Sequence, residues 1–172
     1  MPMNLWTLTR TVRQMVQQTV TGNKGHVLTE GTTAPDFDVP DESGQRHTLK
    51  QYRGKKLILW FFPRASTPGW TSEGQGFRER IQEFQKRNIV VLGASTDTAE
   101  DNRVFKAKHS FPFPLLCDTD GRLTLMYGAS GYENAAFSNR ITYVIDENGI
   151  IEKTFDKIIP ANHAEELLEL LQ

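Results

Sequence analysis

The side chains able to support covalent or metal chemistry are few and dispersed. Cys117 is the single cysteine of the 172 residues, which rules out an intramolecular disulfide. It ends a short apolar run, so we expect a buried structural thiol rather than a nucleophile. The four histidines are scattered without the spacing of metal ligands, and we expect neither a metal nor a cofactor. They are His26, His47, His109 and His163.

One loop combines polar and conformationally restricted residues between a predicted strand and a predicted helix. It runs from Pro63 to Glu73 (PRASTPGWTSE) and follows an apolar segment, Lys56 to Phe62, that is typical of a central strand covered on both faces. Apolar side chains then recur at helical spacing and predict a helix over about 71–87. These side chains are Phe77, Ile81 and Phe84. The loop therefore joins a buried strand to a helix start, where free N–H groups and the helix dipole favour negative charge.

The remaining pattern alternates short apolar runs with helical stretches, which predicts an α/β fold. Two parallel central strands joined by a helix, then an antiparallel hairpin and a terminal helix, describe a thioredoxin-like fold with a central mixed sheet and an additional hairpin in front. Besides the first strand and its helix, the predicted elements are a front hairpin (37–39 and 47–49), a strand at 89–94, a helix from Thr98 to His109, a strand at 115–117, a short helix at 123–127, a hairpin (140–145 and 150–155) and a helix at 161–171.

The first 25 residues have their own pattern. They contain basic residues but no Asp or Glu, and several apolar side chains recur at helical spacing. These are Leu5, Leu8, Val12, Met15 and Val16. An amphipathic helix that packs on the domain or on a second subunit fits better than a targeting segment, because a continuous apolar core and a cleavage site are missing. We therefore divide the chain into an N-terminal helix and linker, 1–33, and one domain, 34–172.

Composition excludes several function classes. The formal net charge of -1 and a pI near 6.4 provide no basic field for nucleic acid or anionic lipid. No apolar run approaches the roughly 18 residues that predict a membrane span. Together with the single cysteine, these features predict a cytoplasmic protein that binds neither nucleic acid nor membranes.

The loop resembles the active-site motif of peroxiredoxins, PxxxTxxC, in the TPGCTxE form of the bacterioferritin-comigratory or peroxiredoxin Q subgroup. Trp70 stands where the family has its nucleophilic cysteine. The resemblance covers about 34–171 through several blocks in the family's order. They include APDFDVPDESG, YRGKKLILWFFPRASTPG, VVLGASTD, FPFPLLCDTDG and RITYVIDENG.

This resemblance implies thiol-dependent reduction of hydroperoxides and a role for each motif position. A cysteine at position 70 would attack the peroxide from the first helical turn, and Thr67 would direct its hydroxyl to the peroxide. Arg140 would place a positive charge beside the sulfur, and Pro63 would shield the pocket. The subgroup's resolving cysteine corresponds to Gln75, so an external thiol such as thioredoxin would act as reductant, on a monomer or homodimer.

Two function hypotheses remain open from the sequence. An indole carries no ionisable nucleophile, so the chain with Trp70 is expected to be inactive as a peroxidase. In the first hypothesis the natural protein has cysteine or selenocysteine at position 70, one base away from a tryptophan codon. In the second it is a pseudo-enzyme that retains the fold as a binding module. Pro63, Thr67 and Arg140 favour the enzyme, whereas Gln75 mildly favours the pseudo-enzyme.

Overall fold

A computed structural model describes residues 25–65 and 68–172, with the backbone alone for 68–70. The predicted N-terminal helix and Thr67 lie outside the described residues, and so does the side chain of Trp70. In chain order, the strands are β1 (Asp38–Pro40), β2 (Arg46–Thr48), β3 (Lys56–Phe61), β4 (Ile89–Ser95), β5 (Leu115–Cys117), β6 (Ile141–Ile145) and β7 (Ile151–Phe155). The helices are α1 (Pro68–Lys86), α2 (Ala99–His109), α3 (Arg122–Met126) and α4 (His163–Leu170).

Five strands form the central sheet in the order β5-β4-β3-β6-β7. The pairs β3–β4 and β4–β5 are parallel, whereas β3–β6 and β6–β7 are antiparallel. Strands β1 and β2 form a separate antiparallel hairpin. The fold class predicted from the sequence is therefore confirmed: a thioredoxin-like α/β fold with a central mixed sheet and a hairpin in front.

The central strand β3 separates two hydrophobic cores. Its side chains alternate between the faces of the sheet, as the two-residue period of a strand requires. Leu57, Leu59 and Phe61 belong to the core that contains Tyr127 and Tyr143. Ile58, Trp60 and Phe62 belong to the core beneath helices α1, α2 and α4. Because both faces are covered, β3 is apolar throughout after Lys56.

Helix boundaries follow local signals in the sequence. The backbone N–H of Asp101 donates to Oγ1 of Thr98 over 3.2 Å, which confirms Thr98 as the N-cap of α2. A 3-10 helix, Leu49–Tyr52, follows β2 where the sequence predicted only the end of a strand at Leu49. Among the described residues, no helix has the length and apolarity needed to cross a membrane.

Candidate active site

The candidate site lies where β3 ends and β6 begins. Phe61 pairs with Ile141 in the antiparallel register of these strands. Pro63 follows β3 by two residues and Arg140 directly precedes β6, so both stand at the same end of two neighbouring strands. The structure therefore brings together two of the predicted site residues that are 77 positions apart in the sequence.

Two hydrogen bonds hold the loop after β3. The hydroxyl of Ser138 donates to the carbonyl oxygen of Phe62 over 2.7 Å, which fastens the segment before β6 to the end of β3. The backbone N–H of Ala65 donates to Oδ2 of Asp97 over 2.8 Å and fastens the loop to the end of β4. Burial raises the pKa of Asp97, although the bond from Ala65 opposes this shift. The approach to α1 is thus anchored on both sides.

Helix α1 begins at Pro68, so position 70 is its third residue and lies in the first turn. The first N–H groups of a helix have no intrahelical partner and carry the positive end of the dipole. An anion formed at position 70 would be stabilised there. Pro63 is half-buried on the strand side of the same loop.

Arg140 faces α1 from the strand side. Its Nε lies 3.6 Å from Oε2 of Glu73, and the Arg140 side chain is only 20% exposed, whereas that of Glu73 is inaccessible. Burial lowers the pKa of Arg140, and the nearby Glu73 opposes the shift. A guanidinium remains protonated in proteins, so a fixed positive charge lies against Glu73 in the second turn of α1.

Glu73 has an unusual environment for a carboxyl group. Burial raises its pKa to about 8, although the charge of Arg140 and the hydroxyl of Thr142 act in the opposite direction. By distance and angle, neither carboxyl oxygen has a hydrogen-bond partner among the residues that the structure describes. Glu73 is the sixth residue of α1, and the first turn contains no acid. Because α1 begins at Pro68 and not at about 71 as the sequence predicts, Glu73 lies in its second turn.

The model of the AhpC/TSA family matches residues 31–154, well over half of the chain. A putative peroxiredoxin Bcp of Coxiella burnetii is 36% identical over 143 residues, which cover 80% of this chain and 95% of the relative. The structure of peroxidoxin BcpB from Mycobacterium tuberculosis matches with a TM-score of 0.78 and 29% identity over 85% of this chain and 97% of that one. The bacterioferritin comigratory protein of Xanthomonas campestris, whose structure concerns its alkyl peroxide reduction activity, matches with a TM-score of 0.72 and 30% identity over 78% and 89% of the two chains.

The chain belongs to the peroxiredoxins of the AhpC/TSA family. Its relatives place it in the bacterioferritin-comigratory or peroxiredoxin Q subgroup, as the loop motif suggested. A peroxiredoxin antioxidant role follows from this membership.

The single thiol of this peroxiredoxin lies in a different environment from position 70. Cys117 is 5% exposed at the end of β5, and Nδ2 of Asn102 donates to its sulfur over 3.4 Å. Burial raises its pKa, and the charges of Glu42 and Asp41 add to the shift. The structural role predicted for this thiol agrees with its burial.

Glu73 and His163 also lie at this site, although no sequence pattern assigned either of them to it. His163 opens α4, is fully buried and lies near enough to Arg140 to respond to its charge. Its isolation from the other histidines in the sequence gave no signal. Among the described residues, no group of three or more His, Cys, Asp or Glu side chains could hold a metal.

Proposed function

We propose that this peroxiredoxin reduces hydroperoxides with an external thiol when residue 70 is cysteine or selenocysteine, and that the chain with Trp70 lacks this activity. The placement of Arg140 carries the proposal. It stands at the end of the sheet shared with Pro63 and lies against buried Glu73 in the second turn of α1. A cation fixed in a largely buried site is suited to stabilise an anionic nucleophile and a developing oxyanion.

The reaction proceeds in two stages. A thiolate at position 70 attacks one peroxide oxygen; the S–O bond forms as the O–O bond breaks, and the alkoxide leaves as an alcohol after taking a proton. The sulfur is then a sulfenic acid. One reductant thiol displaces water to give a mixed disulfide, and a second thiol releases the protein thiol and an oxidised disulfide. In the first stage Arg140 stabilises charge on the leaving oxygen, and we assign Thr67 the orientation of the peroxide and Pro63 the exclusion of water.

The relatives support the substrate class, since alkyl peroxide reduction is the activity named for the Xanthomonas protein. Gln75, at the position of the subgroup's resolving cysteine, supports an external dithiol such as thioredoxin as reductant. We further propose a cytoplasmic protein that is a monomer or homodimer, organised as an N-terminal segment, 1–33, and a domain, 34–172.

Gln75 is also the observation that favours a second candidate function. A pseudo-enzyme that binds a partner through the same pocket needs neither reactive position. The codon for residue 70 in the natural gene separates the two functions. UGA or a cysteine codon supports the enzyme, whereas UGG supports the binding module.

The direct experiment compares the chain as written with Trp70→Cys and Trp70→Ser. Peroxide consumption is followed with dithiothreitol and with thioredoxin plus its reductase. We expect turnover with Trp70→Cys alone, because serine has no ionised nucleophile at neutral pH. The thiol pKa of the cysteine variant should lie below its free value of about 8.5. Turnover by the chain with Trp70, or an unreactive cysteine variant with an ordinary thiol pKa, would refute the proposal.

A further inference from the structure

The buried polar atoms that lack a hydrogen-bond partner are concentrated in one part of the molecule. Within 25–65 and 68–172, side-chain atoms of this kind belong to Trp60, Glu73, Thr142 and His163. Arg140 lies against the Glu73 carboxyl group, with 3.6 Å between its Nε and Oε2. The atoms to be explained beside it are those of Glu73, Thr142 and His163.

Glu73, Thr142 and His163 come from three elements, α1, β6 and α4, that pack together on one face of the sheet. Trp60 on β3 is the register partner of Thr142 on β6, and such partners point to the same face of a sheet. Arg140 and Thr142 are two residues apart and share that face as well. The hydroxyl of Thr142 acts on the pKa of Glu73, and Nε of Arg140 lies 3.6 Å from its carboxylate.

Helix α4 closes the same region. The ring of His163 lies 5.9 Å from that of Phe77, edge to face, and Phe77 lies 5.4 Å from Trp60. Phe77 follows Glu73 by four residues, so the two share one face of α1. A Cβ at Gly76 would lie 3.6 Å from Cβ of Ala164, which shows how closely this turn of α1 packs against the start of α4.

The unpaired polar atoms of Glu73, Thr142 and His163 favour a bound polar molecule between them. A buried donor or acceptor left unsatisfied costs about 1–3 kcal/mol, and both nitrogens of His163 and both oxygens of Glu73 are of this kind. Apolar side chains of similar size would avoid that cost. Internal water satisfies such clusters in folded proteins, typically with about three hydrogen bonds to otherwise unpaired groups.

We propose that water binds between His163, Thr142 and Glu73, and that through this water His163 acts as a positioning residue for Glu73 and the neighbouring Arg140. Water can donate to or accept from the Thr142 hydroxyl, the Glu73 carboxyl group and the nitrogens of His163. It would hold the Glu73 carboxyl group in place against Arg140. The C-terminal helix would thereby contribute to the active site without touching the peroxide.

The pKa of Glu73 depends on this water and can be measured in a protein that has no catalytic activity. Arg140 is the charged group that acts on both Glu73 and His163, and burial together with Arg140 lowers the pKa of His163 to about 4, so its ring is neutral at physiological pH. Water stabilises an ionised carboxylate, whereas apolar surroundings do not. Loss of the water should therefore raise the pKa of Glu73 further.

The test titrates the Glu73 carboxyl by carbon NMR in the chain as written and in three variants. His163→Leu removes both nitrogens, His163→Gln restores one donor and one acceptor, and Leu167→Met changes a buried apolar contact of the same helix as control. We expect the midpoint to rise by about half a pH unit or more in His163→Leu and to stay near the unsubstituted value in the other two. An unchanged or lowered midpoint in His163→Leu would refute the proposal.

Two further measurements complete the test. A high-resolution crystal structure of the unsubstituted chain should show ordered water within hydrogen-bond distance of His163 and Glu73, and a dry site would refute the proposal. The positioning role rests on the proposed function and is tested in the Trp70→Cys background. There the pH profile of peroxide reduction should shift upward with the Glu73 midpoint in His163→Leu, and an unshifted profile would refute that role. Failure of Trp70→Cys to reduce peroxide affects the proposed function alone, since the titration and the crystal structure need no turnover.

Discussion

Two buried carboxyl groups of this protein have opposite surroundings. Asp41, directly after β1, accepts hydrogen bonds from the N–H and hydroxyl of Ser43 and from the N–H of Gln45. Its Oδ2 lies 2.8 Å from Nε2 of His47, whose Nδ1 lies 2.5 Å from the hydroxyl of Tyr52. Glu73, by contrast, faces Arg140 over 3.6 Å with no hydrogen-bond partner in the described part of the chain.

The pKa values of the two acids diverge accordingly. Burial raises the pKa of Asp41, but hydrogen bonds from Ser43 and His47 outweigh it, and the net shift is downward. At Glu73 burial prevails and raises the pKa to about 8. The hairpin satisfies its acid and gains stability, whereas the site beneath α1 leaves its acid unsatisfied, as proteins do where function requires it.

The largest expected effect concerns Arg140. In the Trp70→Cys background, Arg140→Ala should slow peroxide reduction by on the order of 10²-fold, the usual loss when one donor to a developing oxyanion is removed. The thiol pKa should also rise, because a nearby positive charge is lost. Stopped-flow peroxide reduction and a pH titration of the thiol measure both effects.

Arg46→Ala is the matched control, because Arg46 forms an ion pair with Asp38 on the surface and is 59% exposed. Its removal should leave the rate unchanged. Equal rates for the two variants would show that Arg140 does not act on the peroxide.

For stability, in contrast to catalysis, the larger effect is expected at the Asp41 side of the molecule. His47→Leu removes a group that lies within hydrogen-bond distance of both Asp41 and Tyr52, and should lower the free energy of unfolding by about 2 kcal/mol. The same change at His163 removes no direct hydrogen bond to a described residue and should change it by less than about 1 kcal/mol. Urea unfolding at neutral pH compares them, and equal losses would mean that the two histidines are held alike.

The pH dependence of stability has opposite signs at the two acids. Folded Glu73 keeps its proton between the ordinary value of 4.5 and about 8, where the unfolded chain has lost it. Stability should therefore fall as pH rises through this window, by at most about 1.4 kcal/mol per pH unit. Asp41, whose pKa is lowered from 3.8, contributes stability above that value and loses it as pH falls.

Urea unfolding of Glu73→Gln between about pH 5 and pH 8 tests the first sign. The variant should lose less stability than the unsubstituted chain as pH rises. Glu79→Gln, with a side chain that is 69% exposed, is the control and should follow the unsubstituted chain. Parallel curves for all three proteins would contradict a buried, protonated Glu73.

The sequence predicted those features of the fold that depend on neighbouring residues better than those that depend on distant ones. The apolar run from Lys56, the N-cap at Thr98 and the polar turn before Ile151 are local signals, and they located β3, α2 and the β6–β7 hairpin within a residue or two. Pro63 and Arg140 were singled out by the family resemblance and not by a local signal, and their roles remain predictions.

Glu73 and His163 had no comparable signal. They are 90 positions apart, and their proximity depends on how α4 packs against α1. From sequence spacing alone, an acid near a helix start is expected to complement the helix dipole. An isolated histidine is expected to be part of the core. Only packing shows that both face the same arginine.

The smallest effect on peroxide consumption is expected at Cys117. This thiol lies near Asp41, so it allows a direct comparison with a thiol at position 70. Burial and the negative charges of Glu42 and Asp41 raise the pKa of Cys117, whereas position 70 lies in the first turn of α1, at the positive end of the helix dipole. In the Trp70→Cys background, Cys117→Ser should leave peroxide consumption unchanged. Serine suits this site, since Asn102 already donates to the sulfur and can donate to a hydroxyl.

The chain as written gives the complementary measurement. Cys117 should react with a thiol reagent much more slowly in the folded protein than in urea, because a thiol that is 5% exposed with a raised pKa forms little accessible thiolate. Turnover lost in the double variant, Trp70→Cys with Cys117→Ser, would instead make Cys117 a participant in catalysis. The contrast between a structural Asp41 end and a reactive α1 end would then be wrong.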